Sequence, residues 1–153
     1  MIITTLFAHM EKEAYHSVGD KISTGCAIGL MGDTGFSALA HVHMGNCEGY
    51  RDTLFHLSDF ESGEAVAVPR QLNYFIDDYF FQAPIKVTVP FACHEYQKEY
   101  NKVHSGYDLS TTKKWPWPFF WNRSMPGMVV GKGFDKGYGN YILIVHGTEG
   151  EEI

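Results

Sequence analysis

The chain has 153 residues, of which 44% are hydrophobic and 15% aromatic, and its formal net charge is −6. This length predicts one domain with a core of its own, and the many aromatic residues and sixteen glycines favour strands and tight turns over a helical bundle. The acidic balance, with no basic run longer than Lys113-Lys114, argues against nucleic acid or an anionic membrane surface as the partner.

Strands are predicted along most of the chain, wherever β-branched and aromatic residues lie between Gly and Pro turn signals. We therefore expect a mainly β, mostly antiparallel domain. In chain order the predicted strands are Ile2–Met10, Cys26–Met31, Leu39–Met44, Ile85–Ala92, Gly127–Lys132 and Tyr138–His146, with Thr53–Leu57 as a further candidate.

One helix is predicted, over Pro69–Phe81. Proline suits the first helical turn. Apolar residues then recur with the i, i+3, i+4, i+7 spacing of a single helix face, which is typical of core packing. They are Leu72, Phe75, Ile76, Tyr79 and Phe80.

Two short stretches carry most of the candidate ligands. His41 and His43 stand two residues apart in a predicted strand, so their side chains should point the same way. His104 and Asp108 stand four residues apart, and Gly106 between them argues against a helix. In an extended segment, this spacing again places both side chains on one side.

These residues suit a catalytic zinc ion, which takes three protein ligands and leaves one position to water or substrate. His104, Asp108 and either His41 or His43 would make a His₂Asp set. The chain has no H-E-x-x-H motif, so a spare histidine must act as the base: the other member of the pair, or His9. By spacing alone, scattered surface and core histidines remain an equal alternative, because the chain has eight histidines.

Longer stretches around these residues resemble the lysostaphin/LytM-type zinc endopeptidases. Residues 17–37, running on to His41-Val42-His43, are similar to the VGDxVxxGxxIG…GxTGxS…HxH pattern of the family's C-terminal half, and residues 7–10 to the Tyr-Ala-His-Leu segment upstream of it. Residues 104–109 resemble the HxGxD motif of the N-terminal half, and residues 137–147 its GYGNxVxIxHG strand.

The order of these motifs differs from that of the family, where HxGxD comes first and HxH last. The resemblance therefore implies a circularly permuted peptidase domain of the duplicated hybrid motif type, spanning residues 1–153. Residues 1–46 would be the family's C-terminal half, 47–83 a linker with the helix, 84–147 the N-terminal half and 148–153 a tail. Permutation predicts that the strands at the two ends of the chain lie side by side.

The resemblance also implies a role for each residue. His104, Asp108 and His43 would bind Zn²⁺, and His41 and His9 would be the catalytic pair. The implied activity is zinc-dependent hydrolysis of peptide bonds in the cross-bridges or stem peptides of bacterial peptidoglycan. The alternative is a catalytically silent cell-wall-binding or regulatory module of the same fold.

Some expectations concern residues around this site. Family members often use a tyrosine upstream of HxGxD, but neither Tyr96 nor Tyr100 matches its spacing. The aromatic stretch Thr111–Trp121 either forms one wall of the cleft or supplies strand and core residues. His146 is expected to be structural.

Location and assembly follow from weaker signals. No apolar stretch reaches the roughly 20 residues of a membrane-spanning helix, and residues 1–10 lack the features of a secretory signal. The three cysteines, Cys26, Cys47 and Cys93, predict no disulfide framework. We expect a protein that acts at the bacterial cell wall, as a phage virion protein or endolysin or as an extracellular enzyme, and that is a monomer or a swapped dimer.

Overall fold

The computed structural model describes residues 2–37, 39–55, 57–66, 68, 76–89 and 106–147. This part of the chain is mainly antiparallel β, which confirms the predicted fold class at that level. The elements are β1 (Ile2–Met10), β2 (Lys21–Ile22), β3 (Ala27–Leu30), β4 (Val42–Glu48), α1 (Leu57–Ser62), β5 (Ile85–Val89), β6 (Tyr107–Thr111), β7 (Pro118–Phe120), β8 (Gly127–Asp135) and β9 (Gly139–Gly147).

A seven-stranded sheet in the order β2-β8-β9-β1-β4-β6-β5 dominates the fold, and β3 and β7 form a small second sheet. β1 lies at the centre of the large sheet, between β9 and β4, and eight of its nine residues are buried. Its apolar and β-branched composition fits this position, because both of its faces are covered.

The strands nearest the two ends of the chain are neighbours. β1 and β9 pair in antiparallel fashion, with Ile2 opposite Gly147. The prediction that these strands lie side by side is therefore confirmed.

The two faces of the large sheet pack against different parts of the chain. Phe7 of β1 contacts Phe119 and Trp121, with ring centroids 5.4 and 6.4 Å apart respectively. On the opposite face, Leu6 belongs to a second apolar cluster with Phe55, from the segment before α1. The candidate site lies on this second face.

The predicted helix over Pro69–Phe81 is wrong in its described part. Residues 69–75 lie outside the described residues, and residues 77–82 form a bend and turns. The Asp77 side chain accepts a hydrogen bond from the Tyr79 backbone N–H, an alternative to helical bonding that short acidic side chains offer. Phe80 is nevertheless fully buried, while Tyr79 is 77% exposed.

The further candidate strand, Thr53–Leu57, is also wrong in its described part, since residues 53–55 lie outside any strand and Leu57 begins α1. The rings of Phe55 and Phe60 meet edge to face, 5.8 Å apart. Residues an odd number apart in a strand point to opposite faces, so burying both rings in one cluster requires the chain to turn. Within the described residues, no helix is long and apolar enough to cross a membrane.

Candidate functional site

Strand register places His43 beside Asp108. Ala8 of β1 lies opposite His43 of β4, and His43 lies opposite Asp108 of β6. Directly opposed residues of antiparallel strands project from the same face of a sheet. His43 Nδ1 consequently lies 3.1 Å from Asp108 Oδ1, with both side chains largely buried.

His41 reaches the same carboxylate. It precedes β4, which begins at Val42 rather than at the predicted Leu39, and is held in extended conformation by an isolated bridge to Gly32. Its Nε2 lies 3.5 Å from Asp108 Oδ1. The expectation that His41 and His43 point the same way is confirmed.

His9 joins them because of an irregularity in β1. Strict alternation would put His9 on the face that carries Phe7, but an extra residue interrupts the pairing with β9 between Phe7 and Met10. His9 has a φ of 62°, in the left-handed region. A bulge of this kind re-aims a side chain, and the His9 ring centroid lies 4.7 Å from that of His41 and 6.2 Å from that of His43.

Backbone carbonyls determine which ring nitrogen carries the proton in both His9 and His41. His9 Nδ1 lies 2.7 Å from the Thr34 carbonyl oxygen, and His41 Nδ1 lies 2.7 Å from that of Leu39. A carbonyl only accepts, so each Nδ1–H donates and each neutral ring carries its lone pair on Nε2. Neither carbonyl was anticipated from the sequence, because such bonds depend on tertiary structure.

Burial lowers the pKa of His9. Desolvation is the main cause that lowers its pKa from 6.5 to about 4, and the neighbouring His41 and His43 add to the effect. The Thr34 carbonyl and Asp108 act in the opposite direction. His9 is therefore neutral at pH 7, with its lone pair on Nε2.

A glycine makes room for the His43 ring. A Cβ at Gly106 would overlap the Met44 carbonyl oxygen and lie 2.9 Å from His43 Nε2. The segment that leads into Asp108 can pass over this ring only if position 106 has no side chain.

The donor set partly fits a zinc ion. Two ligands at about 2.0–2.1 Å from a tetrahedral zinc stand about 3.3 Å apart, close to the separations from Asp108 Oδ1 to His43 Nδ1 and His41 Nε2. A nitrogen and a carboxylate oxygen this close share a proton or a cation. The predicted third ligand, His104, lies outside the described residues. Within the described ranges, no group of three His, Cys, Asp or Glu side chains is arranged to hold a metal.

Sequence reasoning missed Tyr138, whose ring centroid lies 5.6 Å from that of His43 and 6.5 Å from that of His9. It belongs to the turn before β9 and not to the strand, and its hydroxyl donates to the Phe55 carbonyl at 3.1 Å. The flanking glycines of Gly-Tyr-Gly were the available signal for a turn. Tyr96 and Tyr100 lie outside the described residues.

The aromatic stretch Thr111–Trp121 was expected either to form a wall of the cleft or to supply strand and core residues, and its tryptophans differ in this respect. Trp121 is a core residue: it is fully buried, and its Nε1–H donates to the Met125 carbonyl. Trp117 is half-buried and donates to the Phe81 carbonyl. Trp115 is 45% exposed. A wall role is therefore wrong for Trp121.

No family model, curated protein or solved structure matches the chain.

Proposed function

We propose that the chain is a zinc-dependent endopeptidase that hydrolyses peptide bonds in bacterial peptidoglycan. The observation that carries this proposal is the convergence of His9, His41, His43 and Asp108 on one face of the sheet. They come from three separate motifs, and the two histidine nitrogens nearest Asp108 lie within 3.5 Å of its carboxylate.

His43 and Asp108, together with His104, would hold the metal. A zinc ion bound there would polarise the scissile carbonyl and lower the pKa of a water to about 7. We assign the ligand role to His43 rather than to His41 because His43 lies within the β4–β6 ladder, opposite Asp108. The resemblance likewise gives the ligand role to the second histidine of the pair.

His9 and His41 would handle the protons. Both rings donate through Nδ1 to a backbone carbonyl, so Nε2 is the nitrogen that can take a proton from the attacking water. The water oxygen bonds to the carbonyl carbon, the C–N bond breaks, and the proton passes from Nε2 to the leaving amine. With ring centroids 4.7 Å apart, the two histidines can serve the same substrate.

The substrate class and the permuted fold are the parts of the proposal that rest on the motifs. The resemblance points to a peptidoglycan cross-bridge or stem peptide. The pairing of β1 with β9 supports a circularly permuted peptidase domain, since the family joins these two strands by a hairpin.

The test measures zinc content and loss of turbidity of bacterial cell walls for the wild-type protein and for His41→Ala. His16→Ala is the matched control, since His16 also bonds a backbone carbonyl through its ring, that of Ala27 at 2.8 Å, but is not part of the site. We expect zinc to be bound by all three proteins and lysis to be lost only in His41→Ala.

Two outcomes would overturn the proposal. A wild-type protein that binds no zinc would refute the metal site. A wild-type protein that binds zinc and adheres to cell walls without lysing them would instead favour the catalytically silent module.

A further inference from the structure

His9 has a backbone conformation that needs external support. Its φ of 62° lies in a region that residues with a Cβ adopt at a cost, and such residues persist only where their surroundings hold them. The question is therefore which groups hold His9 in place.

Thr34 makes three hydrogen bonds here, two to the His9 segment and one to β9. Its carbonyl oxygen accepts the His9 Nδ1–H at 2.7 Å. Its hydroxyl donates to the Met10 carbonyl at 2.6 Å and accepts the Asn140 backbone N–H at 3.0 Å. One side chain thus ties the bulge of β1 to the start of β9.

Asn140 completes the support from the other side. Its side-chain Nδ2 donates to the Met10 carbonyl at 3.1 Å, so this carbonyl accepts two hydrogen bonds. The His9 backbone N–H donates to the Tyr138 carbonyl at 2.7 Å. Polar groups from the two sides therefore fix the peptide unit that precedes His9 and the one that follows Met10.

The two turns also touch each other directly. A Cβ at Gly139 would overlap Thr34, and a Cβ at Gly35 would overlap Gly139. This close approach leaves Thr34 little freedom to move away from His9.

We propose that Thr34 and Asn140 are positioning residues that hold His9 in the left-handed conformation and in the Nδ1–H tautomer, and so keep its Nε2 available to the site. The effect on hydrolysis rests on the proposed function of His9. The effect on the ring itself does not.

The direct test is nitrogen-15 NMR of the histidine rings in the full chain, with the His9 signals assigned by their loss in His9→Asn. In the wild type we expect a slowly exchanging Nδ1–H and an unprotonated Nε2 for His9 at pH 7. In Thr34→Val we expect the Nδ1–H signal to weaken and the two tautomers to mix. Thr34→Ser keeps the hydroxyl and should restore the wild-type signals.

Thr4→Val is a matched control. The Thr4 hydroxyl likewise donates to a backbone carbonyl, that of Gly49 at 2.7 Å, and accepts a backbone N–H, that of Arg51 at 2.9 Å. It lies on the same strand as His9 but away from the site. Thr4→Val should lose stability as Thr34→Val does, yet leave the His9 signals unchanged.

Hydrolysis provides the second measurement. We expect kcat of Thr34→Val to fall about 10- to 100-fold, because misplacing a catalytic group by about 1 Å has effects of that size, while zinc content stays unchanged. Asn140→Ala, which leaves the Thr34 hydroxyl in place, is the second variant if Thr34→Val does not fold.

The two proposals fail in different ways. Unchanged His9 signals in folded Thr34→Val or Asn140→Ala would overturn the positioning proposal, whatever the rate of hydrolysis. Altered signals together with full hydrolysis by His9→Asn would support the positioning of the ring but overturn its proposed catalytic role.

Discussion

Two buried histidines on opposite faces of the sheet differ in how their second ring nitrogen is used. His9 donates through Nδ1 to the Thr34 carbonyl, which leaves Nε2 for the other site residues. His146 donates through Nδ1 to the Gly147 carbonyl, and its Nε2 lies 3.0 Å from the Thr5 hydroxyl. Burial lowers the pKa of both rings, so a shifted pKa does not separate a functional histidine from a structural one.

Thr5 and Asn46 link the His146 ring to neighbouring polar groups. The Thr5 hydroxyl lies 2.6 Å from the Asn46 side-chain amide, and its one hydrogen serves one partner. The amide oxygen of Asn46 faces this hydroxyl, and turning the amide so that Nδ2 faces Thr5 lets the amide donate to the hydroxyl and the hydroxyl donate to His146 Nε2. In that arrangement both ring nitrogens of His146 bond within the protein, whereas the hydrogen bond described for the His9 ring uses Nδ1 alone.

Replacement of His41 and of His146 by glutamine should give the largest difference, because the first variant should lose activity and the second stability. We expect His41→Gln to lower kcat/KM by about 10²- to 10⁴-fold, the usual contribution of general acid–base catalysis, with little change in the free energy of unfolding. His146→Gln should instead lower that free energy by about 1–3 kcal/mol, because buried partners are left unsatisfied. Cell-wall hydrolysis and urea unfolding of both variants measure the contrast. Equal losses of activity per folded molecule would contradict it.

Metal binding should stabilise the folded chain through the site residues alone. At about 100 times its dissociation constant, zinc should raise the free energy of unfolding by about 2.7 kcal/mol, and a chelator should reverse this. Asp108→Ala should abolish the response, because one of the proposed ligands is lost. Asp52→Ala removes the same charge from an exposed position and should retain the response. Thermal or urea unfolding with and without zinc tests this, and a full response in Asp108→Ala would refute the assignment of Asp108.

Low pH should reduce the stability of the folded chain through His146. Desolvation chiefly, with the charge of Arg123, lowers the pKa of His146 from 6.5 to about 3. The unfolded chain therefore binds the proton first, and stability falls by about 1.4 kcal/mol per pH unit from pH 6.5 down to about pH 3. Above pH 6.5 this ring contributes no pH dependence.

His146→Gln isolates this effect, because glutamine does not titrate. In chelator, the slope of unfolding free energy against pH between pH 6 and pH 4 should be lower in the variant by about 1.4 kcal/mol per pH unit. Slopes that coincide would mean that His146 is protonated in the folded protein.

The sequence predicted the strands better than the details of the site. Ile2–Met10 has the predicted bounds, and the predicted strands Gly127–Lys132 and Tyr138–His146 correspond to β8 and β9. The shared orientation of His41 and His43 followed from the period of a strand. These features are local, so alternation and turn residues are enough to predict them.

Other features depend on contacts between distant segments. The bulge that brings His9 to His41 interrupts the period of the strand, and nothing in the local pattern marks it. The described end of the predicted helix turns instead, where Asp77 bonds the backbone of Tyr79 and the side chain of Asn122. Side-chain competition of this kind is decided by tertiary structure.

The smallest expected effect is that of Tyr138→Phe. This variant tests whether the Tyr138 hydroxyl, which is hydrogen-bonded within the protein beside the site, has only a structural role. The Tyr138 ring lies against His9 and His43, but its hydroxyl donates to the Phe55 carbonyl, as His146 Nδ1 donates to the Gly147 carbonyl. We expect the variant to lose about 0.5–1.5 kcal/mol of stability and to keep kcat within about twofold of the wild type. Hydrolysis and urea unfolding provide the measurement.

Tyr79→Phe, at an exposed ring, should change neither quantity. A fall in kcat of about 10-fold or more at unchanged zinc content would mean that the Tyr138 hydroxyl leaves Phe55 to act on the substrate, and that a hydrogen bond within the protein does not by itself mark a group as structural.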